Sequence, residues 1–405
     1  FVFTLHRALS PAAEGASIEE LPPETSGGRY GINSSSQALH ADYRLTTRNP
    51  ARGFTLKYGG VISHPPGEQA QEYSRSFSET PGTISPEGCY LSGASGWYPH
   101  FENSLVTFRL ETVLPAPYDS VAGGDRVSRK DLGGEIITAW ETAKPQDEIT
   151  VTCGKYAEYS RKDGPLTHYA FLRSPDPGLA ARYLEATSRY VKLYSELIGP
   201  YPYGKFALVE NFWDTGYGMP SFTLLGPKVI RLPFIINSSY PHEILHNWWG
   251  NGVFVDYEKG NWCEGLTAYL ADYLISESRG KGREYRMATL QKYSDYVSAG
   301  KDFPLTEFRS RHSSSSEAVG YGKSLMAYHM LRNLLGDDNF RKGLRGFYAV
   351  NSFKYASFED LRSAFERITG EGRLKPFFDQ WTRRAGAPAL SLLNTRVSKG
   401  GLEGY

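Results

Sequence analysis

Two histidines separated by three residues are the clearest chemical feature of this sequence. His242 and His246 enclose Glu243 in the pattern H-E-x-x-H. Residues four apart lie on one face of an α-helix, so both imidazoles can reach one ion. Glu243 lies one step round the helix, where its carboxylate can take a proton from a water held by that ion. The pattern predicts a zinc site with one open coordination position, which is typical of a hydrolase.

A catalytic zinc ion needs a third protein ligand, and the later segment N-W-C-E-G supplies Glu264. Asn261 and Glu264 are also typical of a capping box at a helix start, and the two roles can coexist. Asp256 and Glu258 are closer to the histidines in the sequence, but they lie in a loop stretch where we expect solvated side chains. A purely structural zinc site fits less well, because such sites usually fill all four positions. We therefore predict one Zn²⁺ per chain, bound by His242, His246 and Glu264.

Two hydrophobic patterns show which elements must position these residues. Up to about residue 165, hydrophobic and polar residues alternate, as in 105–114, and Gly and Pro clusters separate the segments. This is typical of antiparallel strands. From residue 179 onward, hydrophobic residues recur every three or four positions, which predicts helices. We expect an α+β multidomain fold with an N-terminal antiparallel β-sheet domain (1–170), a mainly helical catalytic domain (171–388) and the start of a truncated β segment (389–405).

Three local predictions follow from the same reading. A helix over 357–369 should begin with a capping pair, Ser357 and Asp360, and should bury Phe358, Leu361, Phe365 and Ile368. The serine run 313–316 is typical of a mobile loop. The three cysteines, Cys89, Cys153 and Cys263, are too few for a disulfide framework, so we expect small buried side chains.

Composition excludes some classes of partner. The chain has 405 residues and a formal net charge of +1, which gives no electrostatic reason to expect nucleic acid. No apolar run reaches the roughly 18 residues of a membrane helix, so we predict no transmembrane segment. The chain begins with Phe1 rather than Met, which is expected if a leader was removed or if the sequence was trimmed; the first explanation favours an exported protein, periplasmic or secreted, and the compartment stays open. Nothing in the sequence indicates an oligomeric state.

These motifs resemble those of the gluzincin zinc aminopeptidases, the family of aminopeptidase N. The family pattern is H-E-x-x-H, 18 residues, and then a glutamate within W-L-N-E-G. This chain has 17 residues between His246 and Glu264, and the glutamate lies within W-C-E-G. Because Trp262 and Gly265 still flank the glutamate, we interpret the difference as a shortened loop. The resemblance implies a thermolysin-like catalytic domain that binds zinc and hydrolyses peptides.

The resemblance extends over about 90–390. Downstream, Tyr321-Gly-Lys-Ser324 is similar to the family segment Y-x-K-G, with serine in place of the glycine. This match implies that Tyr321 stabilises the oxyanion of the transition state. Upstream, Gly96-Trp-Tyr-Pro99 is similar to the end of a strand in the family's N-terminal saddle domain. The segments 358–361 and 376–381 are similar to the family's closing helices.

One family motif is altered. The family loop G-A-M-E-N, whose glutamate holds the free amine of the substrate, corresponds to Gly216-Tyr-Gly-Met-Pro-Ser221. The methionine is present, but Pro and Ser stand where Glu and Asn belong. We predict that the substrate-binding residues here are Gly218, Met219, Pro220 and Ser221. We therefore expect a zinc metallopeptidase that is not a strict aminopeptidase.

Two alternatives stay open. A true aminopeptidase would need a substitute anchor for the amine, and Glu210 or Asp214 on the same segment could supply it. A non-catalytic peptide-binding scaffold would be expected to lose zinc ligands or the general base. This chain keeps all four of those residues, which favours the enzyme.

Overall fold

A computed structural model describes residues 1–22, 39–47, 52–68, 78–102, 104–297, 300–387, 396–398 and 401–403. The chain is β-rich in its N-terminal part and mainly helical after residue 225, so the predicted α+β fold class is confirmed. Most of the predicted C-terminal β segment lies outside the described residues, although two short strands pair there. Among the described residues, no helix is both long and apolar enough to cross a membrane.

The strands of the first part, numbered in chain order, are β1 (Val2–His6), β2 (Ala12–Ala13), β3 (Ala16–Glu20), β4 (His40–Thr47), β5 (Leu56–Lys57), β6 (Gly67–Glu68), β7 (Ser78–Glu79), β8 (Gly82–Ser85), β9 (Gly88–Leu91), β10 (Val106–Pro115), β11 (Tyr118–Ala122), β12 (Asp125–Asp131), β13 (Glu135–Gln146), β14 (Val151–Lys155), β15 (Ala157–Asp163) and β16 (Leu166–Leu172). The later strands are β17 (Lys205–Glu210), β18 (Gly216–Met219), β19 (Phe222–Leu225), β20 (Phe254–Val255), β21 (Tyr355–Ala356), β22 (Arg396–Ser398) and β23 (Gly401–Glu403).

The α-helices are α1 (Pro177–Leu197), α2 (Ser239–Leu245), α3 (Cys263–Ala268), α4 (Leu274–Ser278), α5 (Gly282–Tyr296), α6 (Ser314–Glu317), α7 (Ser324–Leu335), α8 (Asp337–Asn351), α9 (Phe358–Thr369) and α10 (Lys375–Thr382). Two π-helical segments, Tyr269–Tyr273 and Ala318–Lys323, continue α3 and α6. Short 3₁₀ turns occur at Gly93–Ser95, Val229–Arg231, Ile235–Asn237, Tyr257–Lys259 and Leu305–Glu307.

Antiparallel pairing dominates the first part, as predicted. The sheets have the orders β1-β4-β3, β10-β13-β12 and β11-β14-β9-β8. Along β10, partly buried and exposed residues alternate strictly, which is the period of two seen in the sequence. Cys89 and Cys153 are directly opposite partners on β9 and β14, and all three cysteines are free and buried, as expected.

A five-stranded mixed sheet, in the order β15-β16-β17-β19-β18, links the first part to the helices. Strand β17 is apolar along most of its length and is buried on both faces, which is typical of a central strand. Phe206 and Leu208 belong to the core under the helices, whereas Ala207 and Val209 belong to the core of the β-rich part. Strand β18 lies at the sheet edge, beside α2. Because β15 and β16 pair into this sheet, we propose that the second unit begins near residue 157; the boundaries at 170 and 388 stay predictions.

The predicted helix 357–369 is present as α9, and its capping box is confirmed. The N–H of Ser357 donates to Asp360 Oδ2 at 2.8 Å, and Ser357 accepts the N–H of Asp360 at 3.4 Å. Phe358, Leu361 and Phe365 are buried, but the prediction for Ile368 was wrong, since it is 37% exposed. Ile368 lies in the last turn, where the helix leaves the core.

The serine run was predicted as a mobile loop, and that prediction was wrong. Ser313 caps α6: its hydroxyl accepts the N–H of Ser316 at 3.1 Å, and Ser316 Oγ accepts the N–H of Ser313 at 2.9 Å. Serine hydroxyls satisfy the free amides at a helix start, so a run of serines can begin a helix as readily as it forms a loop. Helix α6 leads directly into the π-helical segment 318–323.

Candidate metal centre and substrate cavity

Helix α2 presents the histidine pair to a cavity because its opposite face is anchored in the core. Tyr240, Ile244 and Leu245 are fully buried. His242 lies within the helix, and His246 follows its last residue, with its N–H donating to the carbonyl of His242 at 3.2 Å. The two imidazole centroids are 4.9 Å apart. The i and i+4 spacing therefore places both rings side by side, as predicted from the sequence.

Each imidazole is fixed through its Nδ1 atom. His242 Nδ1 lies 3.2 Å from Asp272 Oδ2, and His246 Nδ1 lies 3.0 Å from the carbonyl oxygen of Trp249. An acceptor at Nδ1 keeps the proton there and leaves Nε2 with its lone pair free. Both rings are thus set up to bind a metal ion through Nε2.

Glu264 completes a set of three possible ligands. Its Oε2 atom lies 3.5 Å from Nε2 of His242 and 3.7 Å from Nε2 of His246, and the three ligand atoms all lie within 4.8 Å of one another. Ligands at ~2.0–2.2 Å from a tetrahedral zinc ion are roughly 3.4 Å apart. Two neutral imidazole nitrogens and one carboxylate at this spacing fit zinc. The shortened loop therefore still delivers Glu264 to the histidines.

Asn261 caps the start of the helix that carries Glu264, as the sequence predicted. Its Oδ1 atom accepts the N–H groups of Cys263 at 3.1 Å and Glu264 at 3.3 Å, so it satisfies the start of α3. The carboxylate of Glu264 points to the histidines instead of returning to the cap. Glu258 is exposed and Asp256 pairs with Lys259 at 2.8 Å, which agrees with the expected solvated side chains.

Glu243 lines the same cavity and lies against strand β18. A Cβ atom added to Gly218 would come within 2.8 Å of Glu243 Oε2, 3.0 Å of His246 Cβ and 3.1 Å of the Glu243 carbonyl oxygen, so glycine favours this close approach of strand and helix. Burial raises the pKa of Glu243 above its usual range, while the neighbouring His246 and His242 oppose that shift. A carboxyl group with a raised pKa is better matched to taking up and returning a proton near neutral pH.

Tyr321 reaches the site from the π-helical segment 318–323. Its hydroxyl lies near the Glu264 carboxylate, and its ring stacks on His242 with centroids 6.5 Å apart. Phe308 packs edge-on against the ring at 6.0 Å, and the Arg311 guanidinium lies 5.8 Å from the ring centre. Burial, and then the charge of Glu264, raise the pKa of Tyr321, so the phenol keeps its proton as a hydrogen-bond donor.

A cavity of about 700 Å³ is lined by the two histidines, Glu243, Glu264 and Tyr321. Strand β18 forms one wall, so Gly218 and Met219 line the cavity. Pro220 and Ser221 do not line it. Ser221 is fully buried with φ of 67°, its Oγ accepts from Lys205 Nζ at 2.8 Å, and its N–H donates to Asn247 Oδ1 at 2.8 Å. The structure thus brings half of the predicted substrate-binding set to the cavity and turns the other half into the core.

The two alternative amine anchors lie elsewhere. Glu210 is buried, forms an ion pair with Arg231 at 2.5 Å and accepts the N–H of Arg173 at 2.8 Å. Asp214 pairs with Lys228 at 3.4 Å. Neither is among the described residues that line the cavity.

Sequence reasoning missed four acidic residues at the cavity, Asp147, Glu148, Asp272 and Glu317. Asp272 follows Glu264 by eight residues, about two helical turns, and this spacing could have placed it on the same face. It lies in the π-helical segment 269–273, and such segments are frequent at functional sites. Asp147 and Glu148 gave no comparable signal, because they reach the cavity from the β-rich part of the chain.

Comparison with known proteins agrees with this geometry. Residues 236–381 match the Peptidase family M1 domain. The chain is 28% identical to Aminopeptidase 2, mitochondrial, of Saccharomyces cerevisiae over 95% of its own length and 44% of that protein. It is 22% identical to the thyrotropin-releasing hormone-degrading ectoenzyme of Rattus norvegicus over 60% of this chain and 25% of that protein. The chain thus spans less than half the length of these curated relatives.

The fold has solved counterparts. The M1 zinc metallopeptidase of Deinococcus radiodurans aligns with a TM-score of 0.67 at 17% identity, covering 96% of this chain and 87% of that one. A mutant of that enzyme was solved with a Tyr-Ser-Ala substrate.

A β-rich unit followed by a helical unit with an H-E-x-x-H helix is the architecture of a gluzincin metallopeptidase, a zinc-dependent hydrolase. Over residues 236–381 the chain is similar to peptidase family M1, the family of aminopeptidase N, as its motifs indicated. The cofactor of this family is Zn²⁺, and the residues gathered at α2 and α3 fit that ion.

Proposed function

We propose that the protein hydrolyses peptide bonds, with His242, His246 and Glu264 as the ligands of a single zinc ion. The observation that carries this proposal is the convergence of the three ligand atoms with Glu243 and Tyr321 in one cavity. Asp272 and the carbonyl of Trp249 hold the histidines in the tautomer that a metal ion needs.

When bound, the zinc ion supplies Lewis acidity, which lowers the pKa of a water molecule and polarises the scissile carbonyl. Glu243 accepts the proton of the attacking water and later delivers it to the leaving amine. Tyr321 donates a hydrogen bond to the carbonyl oxygen as negative charge develops on it. Because that charge is largest in the transition state, the contribution of Tyr321 acts on kcat more than on KM.

We further propose that hydrolysis does not require a free amino terminus. Where the family places a carboxylate for the substrate amine, this chain has Pro220, which carries no charge, and Ser221, whose hydroxyl is engaged by Lys205. Glu210 and Asp214 are held in ion pairs outside the cavity. An N-blocked peptide therefore loses no charge-assisted contact at this place.

A comparison of the wild type with Glu243→Gln distinguishes peptide hydrolysis from peptide binding without hydrolysis. Zinc-loaded wild-type protein and Glu243→Gln are incubated with a peptide library, and cut sites are mapped by mass spectrometry while zinc is measured in parallel. We expect cleavage by the wild type and a loss of ~10²–10⁴-fold in Glu243→Gln, the usual size of a general-base effect, with equal zinc content. Zinc binding without cleavage by the wild type would instead support a binding scaffold.

A further inference from the structure

Two adjacent carboxylates line the cavity from the β-rich part of the chain, whereas the metal-binding residues come from the helices. Asp147 and Glu148 lie in the short connection between β13 and β14, and both border the cavity that contains Glu243, Glu264 and Tyr321. Tyr257, whose side chain is largely exposed, lines the same cavity as the acidic pair and the proposed zinc ligand Glu264.

The connection that carries the pair is held rigidly. Glu148 accepts the N–H of Gly93 at 2.8 Å on Oε2 and the hydroxyl of Thr150 at 2.9 Å on Oε1. Ile149 donates its N–H to the Tyr98 hydroxyl at 3.0 Å. A Cβ atom on Gly93 would lie 2.7 Å from Glu148 Oε2, so glycine permits this close approach. A site fixed by such contacts loses little entropy when a ligand binds.

Among the described residues, no Lys or Arg forms an ion pair with Asp147 or Glu148. Burial, and then the charge of Glu148, raise the pKa of Asp147 to about 7. Two neighbouring carboxylates that lack a counter-ion are stabilised by any cation that reaches both of them.

Most other charged groups of the cavity are already engaged, Arg311 lies over the ring of Tyr321, and Glu243 is assigned to proton transfer. Glu264 and Asp272 face the histidines, and Lys292 pairs with Glu317 at 3.3 Å. A carboxylate offers about four lone-pair sites, so the bonds to Gly93 and Thr150 leave Glu148 able to accept more. The acidic pair is therefore the part of this substrate cavity that is suited to a cation.

We propose that Asp147 and Glu148 form a subsite for a positively charged nitrogen of the peptide substrate. The subsite rests on the peptidase function proposed above, since it is the shared cavity that directs the pair towards a peptide. The ammonium or guanidinium of a basic side chain supplies such a nitrogen, and because the function proposed above requires no free amino terminus, we assign the subsite to a side chain. Carboxylates bind either group through short, charge-assisted hydrogen bonds.

The test uses four peptides of one sequence, with lysine or norleucine at the position next to the mapped cut and with a free or acetylated amino terminus. Values of kcat/KM are measured for the wild type, for Asp147→Asn/Glu148→Gln and for Glu111→Gln. Glu111 is an exposed residue of β10, so its substitution removes one charge from the same part of the chain outside the cavity. Binding of the same peptides to Glu243→Gln, with and without the double substitution, gives a readout that does not need turnover.

We expect the wild type to favour the cationic peptide by ~10-fold or more, the size of one hydrogen bond to a charged group, and the double variant to reduce that ratio to near one. Glu111→Gln should keep the wild-type ratio. The lysine preference should persist in the acetylated peptides, because the side chain supplies the charge. An acetylation effect in the norleucine peptides without a lysine effect would contradict the assignment of the subsite to a side chain. Equal cleavage of all four peptides by the wild type would overturn the subsite while leaving the peptidase proposal intact; no cleavage and no binding of any peptide would overturn the peptidase proposal first.

Discussion

The two walls of the cavity differ in how much of the family pattern they keep. The helical wall retains both histidines, Glu243 and Glu264, and the distances among them fit a zinc ion. The strand wall retains Gly218 and Met219, but the turn that follows has lost the acidic residue. The residues that we propose for hydrolysis and those that we propose for recognition of one end of the substrate lie on separate elements, so one set can change while the other stays intact.

The altered turn, Pro220 and Ser221, connects the two walls through hydrogen bonds. Ser221 donates its N–H to Asn247 Oδ1, and Asn247 Nδ2 donates to the carbonyl of Ile244 on α2 at 2.9 Å. Lys205 Nζ donates to both the hydroxyl and the carbonyl of Ser221, at 2.8 and 3.1 Å. These bonds hold a non-glycine residue at positive φ, a conformation that persists only when its surroundings enforce it. The turn therefore fixes β18 against α2, the helix that carries His242.

The largest effect should come from the helical wall. Glu264→Ala removes a ligand, so zinc affinity should fall by more than the ~10–100-fold that loss of an outer hydrogen-bond partner causes. Competition with a chromogenic chelator measures the affinity. Glu258→Ala is the matched control, because it removes an exposed glutamate from the preceding turn. If Glu258→Ala loses zinc and Glu264→Ala keeps it, the ligand assignment is wrong.

Tyr321→Phe should lower kcat by ~10²-fold, as for the loss of one oxyanion donor, with a smaller change in KM. Steady-state kinetics on one mapped peptide measures both constants. Tyr285→Phe serves as the control, since Tyr285 lines the cavity on another helix. A kcat close to that of the wild type would leave Tyr321 as a packing residue beside His242.

Asp272→Asn should weaken zinc binding by ~10–100-fold, because an amide is a poorer acceptor for the Nδ1 proton of His242 and leaves the ring less basic. The chelator competition used for Glu264 applies here as well. Asp295→Asn, an exposed position on α5, should leave the affinity as it is. Equal zinc affinity in wild type and Asp272→Asn would show that His242 is oriented without this contact.

The residues that could be predicted from the sequence lie mostly on the helical wall. The histidines, Glu243 and Glu264 were predictable because one helical repeat and one short motif place them, and the capping box of α9 is equally local. The approach of Asp147 and Glu148 depends on how the β-rich part packs against the helices, which no local pattern encodes. The π-helical segments carrying Asp272 and Tyr321 were also missed, since one extra residue in a helical turn barely alters the hydrophobic period. Serines 313–316 were misjudged because the same residues cap helices and form loops.

The smallest effect is expected on the strand wall, from acetylation of the substrate. An amine held by a carboxylate gains a charge-assisted hydrogen bond worth ~1.5–3 kcal/mol, so its acetylation would lower kcat/KM by roughly 10–100-fold. Pro220 and Ser221 offer no such bond, and we expect a change of less than ~3-fold on a peptide that lacks basic side chains, together with weak cleavage of single aminoacyl chromogenic substrates. Rapid cleavage of those substrates, lost on acetylation, would show that an anchor exists. Asp214→Asn, Glu210→Gln and the Asp147→Asn/Glu148→Gln pair, tested on the same substrates, would then identify which carboxylate provides it.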